Sequence, residues 1–336
     1  MRGLKVPLKD AEKAKQELIK SDALDHSHRL VREKDAIVFP VLKEIKGVGE
    51  LVDMDFEPSR ETAGTLRDAL KGKLSPEEEE RLKTAFDTVG RIAILEIDPL
   101  LVPKEKLIAD ALLSINPTIT TVLKKAEKHS GTFRTQKLDY LAGEKTKKAV
   151  YRENDVMLYL DVEKVYFSPR LSTERKRVMQ LVAKDEHVLV MFSGCGPYTC
   201  VISKNTEAAE VVGVEINPDG QKYAELNAKK NKLKNVTNHC GDVNDVVPTL
   251  GVFDRVLMPL PMDAEDFLDV ALATTKPGGV IHFYDFLEEK DIPAAAIKKI
   301  ESACEIAGRK PKILGHARCG QFSPYTFRIC VDARID

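Results

Sequence analysis

At 336 residues the chain is longer than one ordinary hydrophobic core organises, so two or three domains are expected. Its 43% hydrophobic and 31% charged residues are globular proportions, and no apolar run reaches the roughly 18 residues that would mark a membrane helix, so no membrane partner is expected. A net charge of −1 excludes a uniformly basic surface, and any face that holds phosphates must be local.

Residues 1–52 read as a small α/β module. A strand at Leu4–Pro7 precedes a helix from Asp10 to Ser21 with apolar Ala11, Ala14, Leu18 and Ile19, and a second strand follows at Ala36–Val41. The opening segment has no apolar signal core, which places the chain in the reducing cytoplasm. The six cysteines include no C-x-x-C pair and read as small buried thiols rather than zinc or redox sites. The histidines are scattered, with His26 and His28 the only close pair, so no metal is expected. From Glu57 to Glu77 the chain turns polar, with Pro58, Gly64 and Pro76, as a linker would.

Residues 60–165 read as an α+β middle domain, with a strand at Arg91–Ile97, a helix at Lys104–Ile115 and strands at Ile119–Lys124 and Val156–Val162. Between Lys124 and Arg152 lies a basic stretch that includes Lys145, Lys147 and Lys148, set against Glu127, Asp139 and Glu144. Such a stretch is either a solvated face or a track for an RNA backbone.

From 166 to 336 the pattern is that of an α/β, Rossmann-like domain. Strands at Val188–Phe192, Val211–Glu215, Val236–Cys240, Asp254–Met258 and Val280–Asp285 alternate with helices, as in a parallel sheet. The helix Pro218–Lys230 is capped by Asn217 with proline at its first position. A helix at Ala294–Gly308 and two late strands, Lys312–Gly315 and Thr326–Asp332, close the chain.

The first of these strands runs into Ser193-Gly194-Cys195-Gly196-Pro197, where glycines let a ligand approach the backbone. Such turns also serve plain strand-to-helix connections, so the later strand ends carry the argument. Glu215 ends the second strand, where a carboxylate can accept both hydroxyls of a ribose, and Asp242 follows the third, where it can accept from an adenine amine. Pro197 removes a donor that a pyrophosphate would use, which favours S-adenosylmethionine (SAM) over a dinucleotide. The fourth strand exits into Met258-Pro259-Leu260-Pro261, a rigid turn suited to holding the group that is modified.

The run Lys164-Val165-Tyr166-Phe167-Ser168-Pro169-Arg170-Leu171-Ser172-Thr173-Glu174-Arg175, with Leu141-Ala142-Gly143-Glu144 before it and Met191-Phe192-Ser193-Gly194-Cys195-Gly196-Pro197 after it, resembles the archaeal and eukaryotic tRNA (guanine-37-N1) methyltransferases. The resemblance covers nearly the whole chain, and residues 1–52 resemble the small domain that archaeal members set against the outer corner of tRNA. It implies that Glu174 is the base taking the N1 proton of guanine. It further implies that Arg175, Phe192, Gly194, Gly196, Glu215, Ile216, Asp242, Val243 and Pro259 line the SAM site. Tyr166, Arg170 and Pro261 would shape the pocket for the base in the anticodon loop, with Lys145, Lys147 and Lys148 on the RNA. No obligate protein partner is expected.

Three departures from the family pattern stand out. Val190 occupies a position that is usually acidic, Pro259-Leu260-Pro261 lacks the usual Asn, and Lys145-Thr146-Lys147 stands where an Arg is expected. They keep two alternatives open: a wyosine-pathway enzyme that methylates, or transfers an aminocarboxypropyl group, at the same tRNA position, and a non-catalytic tRNA-binding protein.

Overall fold

The computed structural model describes residues 1–336 except His26, Glu44, Lys46, Val48, 58–63, 128–130 and Pro261. They form two compact units, residues 1–84 with 107–117 and residues 85–106 with 118–336.

In the first unit β1 (Arg2–Pro7), β2 (Val31–Arg32), β3 (Ala36–Pro40) and β4 (Glu50–Asp53) form a sheet of order β2-β3-β1-β4. The helix α1 (Ala11–Lys20) puts Ala11, Ala14 and Leu18 against Leu4, Val6 and Phe39. Ile19, read as part of that apolar face, is exposed instead. The expected linker contains two helices, α2 (Leu66–Ala69) and α3 (Pro76–Arg81). Both begin at capping boxes, Thr65 with Asp68 and Ser75 with Glu78. Polar composition hid them because short capped helices are made of polar residues. The helix α4 (Glu105–Ile115) follows.

In the second unit β5 (Asp87–Val89), β6 (Ile92–Leu95), β7 (Thr121–Lys125) and β8 (Leu138–Gly143) form one sheet, and β9 (Lys148–Glu153) with β10 (Val156–Asp161) forms an antiparallel pair. The core does not part at residue 165. Val89, Ile92, Leu123, Leu138, Ala149 and Leu160 share one apolar cluster with Val165 and with Cys195 of the glycine loop.

The large sheet comprises β11 (His187–Met191), β12 (Glu210–Glu215), β13 (Val236–Cys240), β14 (Phe253–Met258), β15 (Thr275–Glu288), β16 (Pro311–Ser323) and β17 (Thr326–Ile335), in the order β13-β12-β11-β14-β15-β17-β16. The five strands from β13 to β15 are parallel, and β17 joins them antiparallel. Continuous apolar runs such as Val188–Met191 suit strands covered on both faces. Val178 of α5 (Ser172–Leu181) and Tyr198 and Ile202 of α6 (Pro197–Asn205) cover the Val188 and Val190 face. Beyond α7 (Pro218–Lys230) and α8 (Val243–Val246), the helices α9 (Leu268–Thr274) and α10 (Ala294–Ile306) cover the Leu189 and Met191 face. Here β15 runs three residues past its expected end, because pairing with β17 continues to Glu288↔Thr326.

A ladder of buried polar groups crosses this sheet on the α5 side. Glu186 accepts from Arg255 Nε and Nη2 at 2.7 and 2.9 Å, and Arg255 Nη1 lies 2.7 Å from His282 Nε2. A guanidinium only donates, so Nε2 accepts, and the imidazole proton sits on Nδ1, which donates to Asp332 Oδ1 at 2.6 Å. Asp332 in turn accepts from Arg177 Nη1 and Nη2 at 2.6 and 3.1 Å. Burial pushes His282 below its ordinary value against the pull of Asp332. Burial would raise Asp332, but His282 and Arg177 outweigh it and hold the carboxyl well below the usual range.

The pH dependence follows from these directions. As pH falls through about 6.5 the unfolded chain binds a proton at His282 and the folded chain does not, so stability present above that value declines below it. Asp332 stays charged in that window. Removal of His282 as His282→Gln, which can still accept from Arg255 and donate to Asp332, is expected to flatten the fall in melting temperature between pH 7.5 and 5. The slope at stake is at most about 1.4 kcal/mol per pH unit. Thermal melts at the two pH values check this, and parallel slopes in both proteins would count against it.

Candidate active site

The strand order reverses between β11 and β14, and the crevice beyond their carboxyl ends is where open parallel sheets bind ligands. After β11 the chain turns sharply. Phe192, Gly194 and Gly196 have φ of 56°, 57° and 78°, and Gly196 is the cap of α6. Two of the three are glycines because the left-handed region penalises a Cβ. The third, Phe192, is held by an edge-on contact with Phe267 at 4.9 Å between ring centres.

Gly194 N–H donates to Glu215 Oε2 at 2.6 Å, and Asn217 N–H donates to Oε1 at 2.8 Å. Glu215 thus bridges the glycine loop and the start of α7. Burial raises its pKa, and the backbone donors pull it back in part. Asp242, at the end of the neighbouring strand β13, caps α8 by accepting from Asn244 N–H at 2.8 Å. Ile216 is half-buried beside Glu215, Val243 is buried beside Asp242, and Pro259 is half-buried where β14 ends. Pro261 lies outside the described residues. The glycine loop, Glu215, Asp242 and Pro259 therefore stand at four strand ends of one sheet edge. Glycines and carboxylates in that arrangement suit a nucleoside with free hydroxyls and an amine.

Glu174 sits in the first turn of α5 and is 5% exposed. Arg177 grips it with two parallel bonds, Nε to Oε2 and Nη2 to Oε1, both 2.8 Å, and Tyr284 Oη donates to Oε1 at 2.7 Å. Tyr284 is itself bonded to Tyr198 at 2.9 Å. A carboxylate has about four acceptor positions. Arg177 and Tyr284 fill three of them, and the Cys319 thiol is also close enough to hydrogen-bond the carboxylate. Glu174 is thus the end of the ladder that runs through Arg177, Asp332 and His282. None of these partners was read from the sequence, although the Glu174 to Arg177 spacing of three is a helix ion-pair signal.

Arg175 is placed differently from its expected role at the cofactor. It is 1% exposed, and its guanidinium pairs in a fork with Glu153 of β9 and donates to Ser168 carbonyl at 3.2 Å. It also stacks over Phe167 and Tyr198. A guanidinium closed off in this way ties α5 to the β9–β10 pair rather than facing the crevice. Cys240 is likewise exposed, unlike the other five cysteines, because it ends the edge strand β13.

Tyr166 Oη accepts from Arg328 Nη2 at 2.9 Å, and its carbonyl oxygen would lie 3.6 Å from a Cβ on Gly194. The exposed Arg170 pairs with Asp87. In the basic stretch Lys124, Arg134, Lys137 and Lys147 are ion-paired with Glu105, Asp263, Glu127 and Glu163 respectively. Lys145 and Lys148 have no ion pair among the described residues, and Lys145, Thr146 and Lys147 help to line a cavity of about 370 Å³ with Tyr140. His282, Cys330 and Asp332 cluster closely enough to suggest a metal. Their ligand atoms, however, are committed to Arg255, Arg177 and one another. Among the described residues no helix is long and apolar enough to cross a membrane.

Comparison with known proteins agrees with this arrangement. Residues 149–312 match the TRM5/TYW2 methyltransferase domain, residues 66–146 the TYW2 N-terminal domain and residues 3–49 the tRNA methyltransferase 5 N-terminal domain. The chain is 36% identical over 333 residues to the tRNA (guanine(37)-N(1))-methyltransferase Trm5b of Pyrococcus abyssi, covering 99% of this chain and 98% of that protein. It is 27% identical over 272 residues to the tRNA(Phe) (4-demethylwyosine(37)-C(7)) aminocarboxypropyltransferase of Pyrococcus horikoshii, covering 80% and 96%. A solved complex of aTrm5 and tRNALeu superposes with a TM-score of 0.73 at 28% identity, over the full length of both chains. With a full-length relative at that level of identity and a Rossmann-like sheet carrying the glycine loop, this chain belongs to the TRM5/TYW2 methyltransferase family.

Proposed function

We propose that this protein transfers the methyl group of SAM to N1 of guanosine 37 in tRNA, with Glu174 as general base. The observation that carries this reading is Glu174 itself, a carboxylate of the Tyr166–Arg175 block held in one orientation by Arg177 and Tyr284. Guanine N1 carries a proton at neutral pH, and methylation there requires a fixed acceptor for it. Oε2 of Glu174 takes the proton as N1 is alkylated, and the guanidinium of Arg177 stays in place throughout.

The residues of the crevice fit the cofactor. Glu215 faces the ribose hydroxyls, Asp242 the adenine amine, and the Cβ-free Gly194 and Gly196 admit the methionine part. SAM bound there supplies an electrophilic methyl with its leaving group attached. The role of the protein is to hold N1 in line with it and to exclude water. Tyr166 and Pro259 shape the pocket for the extruded base, with Arg170 at its rim. Lys145, with Lys148, supplies positive charge for the RNA backbone, and residues 1–52 meet the outer corner of tRNA.

A second reading draws on the match of residues 66–146 to the TYW2 N-terminal domain: transfer to a wyosine intermediate at the same position. Incubation with unmodified tRNA and SAM, followed by mass spectrometry of the nucleoside at position 37, separates the two. Appearance of 1-methylguanosine supports the first reading, and no product on unmodified tRNA would favour the second.

Two substitutions probe the assignments. Glu174→Gln keeps the shape and the bond from Tyr284 but cannot take a proton, and single-turnover methyl transfer is expected to fall about 10²–10⁴-fold with dissociation constants for SAM and tRNA retained. A folded variant that still transfers methyl at the normal rate would sink the general-base role. Glu215→Ala is expected to weaken SAM binding roughly 10–100-fold in calorimetric titration, the loss of hydrogen bonds to a charged acceptor, and to leave tRNA affinity unaltered.

A further inference from the structure

We propose that Phe286, Phe322 and Arg328, at the outer end of β15 and the last hairpin, form a stacking platform for the nucleotide next to the target guanine. This rests on the tRNA-methylating reading of the same site and adds to it a second contact with the substrate.

Side chains alternate along a strand, so His282, Tyr284 and Phe286 point to one face of β15. They form a row. His282 holds the ladder, Tyr284 touches Glu174, and Phe286 comes next outward, about 7 Å further along the strand, a distance on the order of one nucleotide. Phe286 lies in the extension of β15 past its expected end, and cross-strand pairing brings Arg328 opposite it. There the Arg328 guanidinium sits 5.0 Å over the Phe286 ring, and Phe322 packs against the same ring at 4.4 Å between centres.

Phe322 is 64% exposed, and Tyr325 at the turn of the hairpin is 75% exposed. Arg328 donates to Tyr166, and its Nε–H is buried with no acceptor among the described residues. A ring open on one side with a guanidinium stacked beside it suits a nucleobase. The base supplies a π-face to Phe322, and its phosphate supplies negative charge to Arg328. An apolar protein partner would cover the rings but leave the guanidinium without a counter-charge. The platform lies on the face of β15 that carries Tyr284, the partner of Glu174, and Arg328 donates to Tyr166.

The test is a double-substitution cycle read by binding. A tRNA transcript bearing G37 is titrated onto the full chain by filter binding, intact or with an abasic site at position 36 or 38. The protein is wild type, Phe322→Ala or Phe322→Tyr. Loss of one base-on-aromatic contact corresponds to roughly a 5–150-fold rise in Kd, expected for Phe322→Ala and not for Phe322→Tyr. One of the two abasic sites should weaken wild-type binding by a similar factor and weaken Phe322→Ala little further.

Independent, multiplying losses at both positions, or an unaltered Kd for Phe322→Ala, would overturn the proposal. So would sedimentation showing that Phe322→Ala abolishes self-association and leaves tRNA affinity as it was. Phe322 is exposed, and a thermal melt and SAM titration verify that Phe322→Ala is folded. Wild type that binds tRNA without methylating G37 would defeat the proposed function alone, whereas methylation at G37 with a multiplicative cycle would defeat the platform alone.

Discussion

Three carboxylates, two guanidiniums and a neutral imidazole share the interior of the larger unit, and the position of Glu174 depends on their mutual satisfaction. Taking such groups out of water is costly, and the cost is offset only where the geometry is good and each remaining donor or acceptor finds a partner. The ladder from Glu186 through Arg255, His282, Asp332 and Arg177 meets that condition down to the tautomer of the imidazole. Its end, Glu174, inherits the rigidity of the whole chain. A carboxylate gripped in a fork by arginine cannot rotate, so its oxygens are held in a single orientation. Arg177, Asp332 and His282 therefore set the position of Glu174.

The cofactor side of the crevice is built on a different principle. There the backbone does the holding. Glu215 receives two N–H groups, one from the glycine loop and one from the start of α7, and so ties together the two segments a nucleoside would touch. Arg175 illustrates how the two halves are kept apart. It neighbours Glu174 in sequence but turns to Glu153, where it locks the helix that carries Glu174 onto the β9–β10 pair.

Strand β15 joins the buried ladder to the exposed ring pair. Its alternate residues His282, Tyr284 and Phe286 belong in turn to the ladder, to the grip on Glu174 and to the ring pair, so one straight element sets the spacing between them. That spacing exists because β17 pairs with β15 well beyond the carboxyl edge of the parallel strands.

Local physics made much of this legible from residues alone. Continuous apolar runs marked the parallel strands, Asn217-Pro218 marked the start of α7, and glycines between a strand and a helix marked the tight turn. The block from Tyr166 to Arg175 carried the family resemblance, and Glu215 and Asp242 at successive strand ends marked the crevice. Short capped helices at 66–69 and 76–81 were missed because polar residues serve linkers and caps alike. What residues alone could not decide was which side chains meet. Tyr284 reaches Glu174 across 110 residues and Asp332 reaches Arg177 across 155, and no periodicity encodes such pairs. Arg175 and Arg177 are equally plausible neighbours of a catalytic acid on paper. The rotation of α5 over the sheet aims Arg177 at Glu174 and Asp332 and Arg175 at Glu153, a choice made by packing between distant segments and therefore only by the tertiary structure.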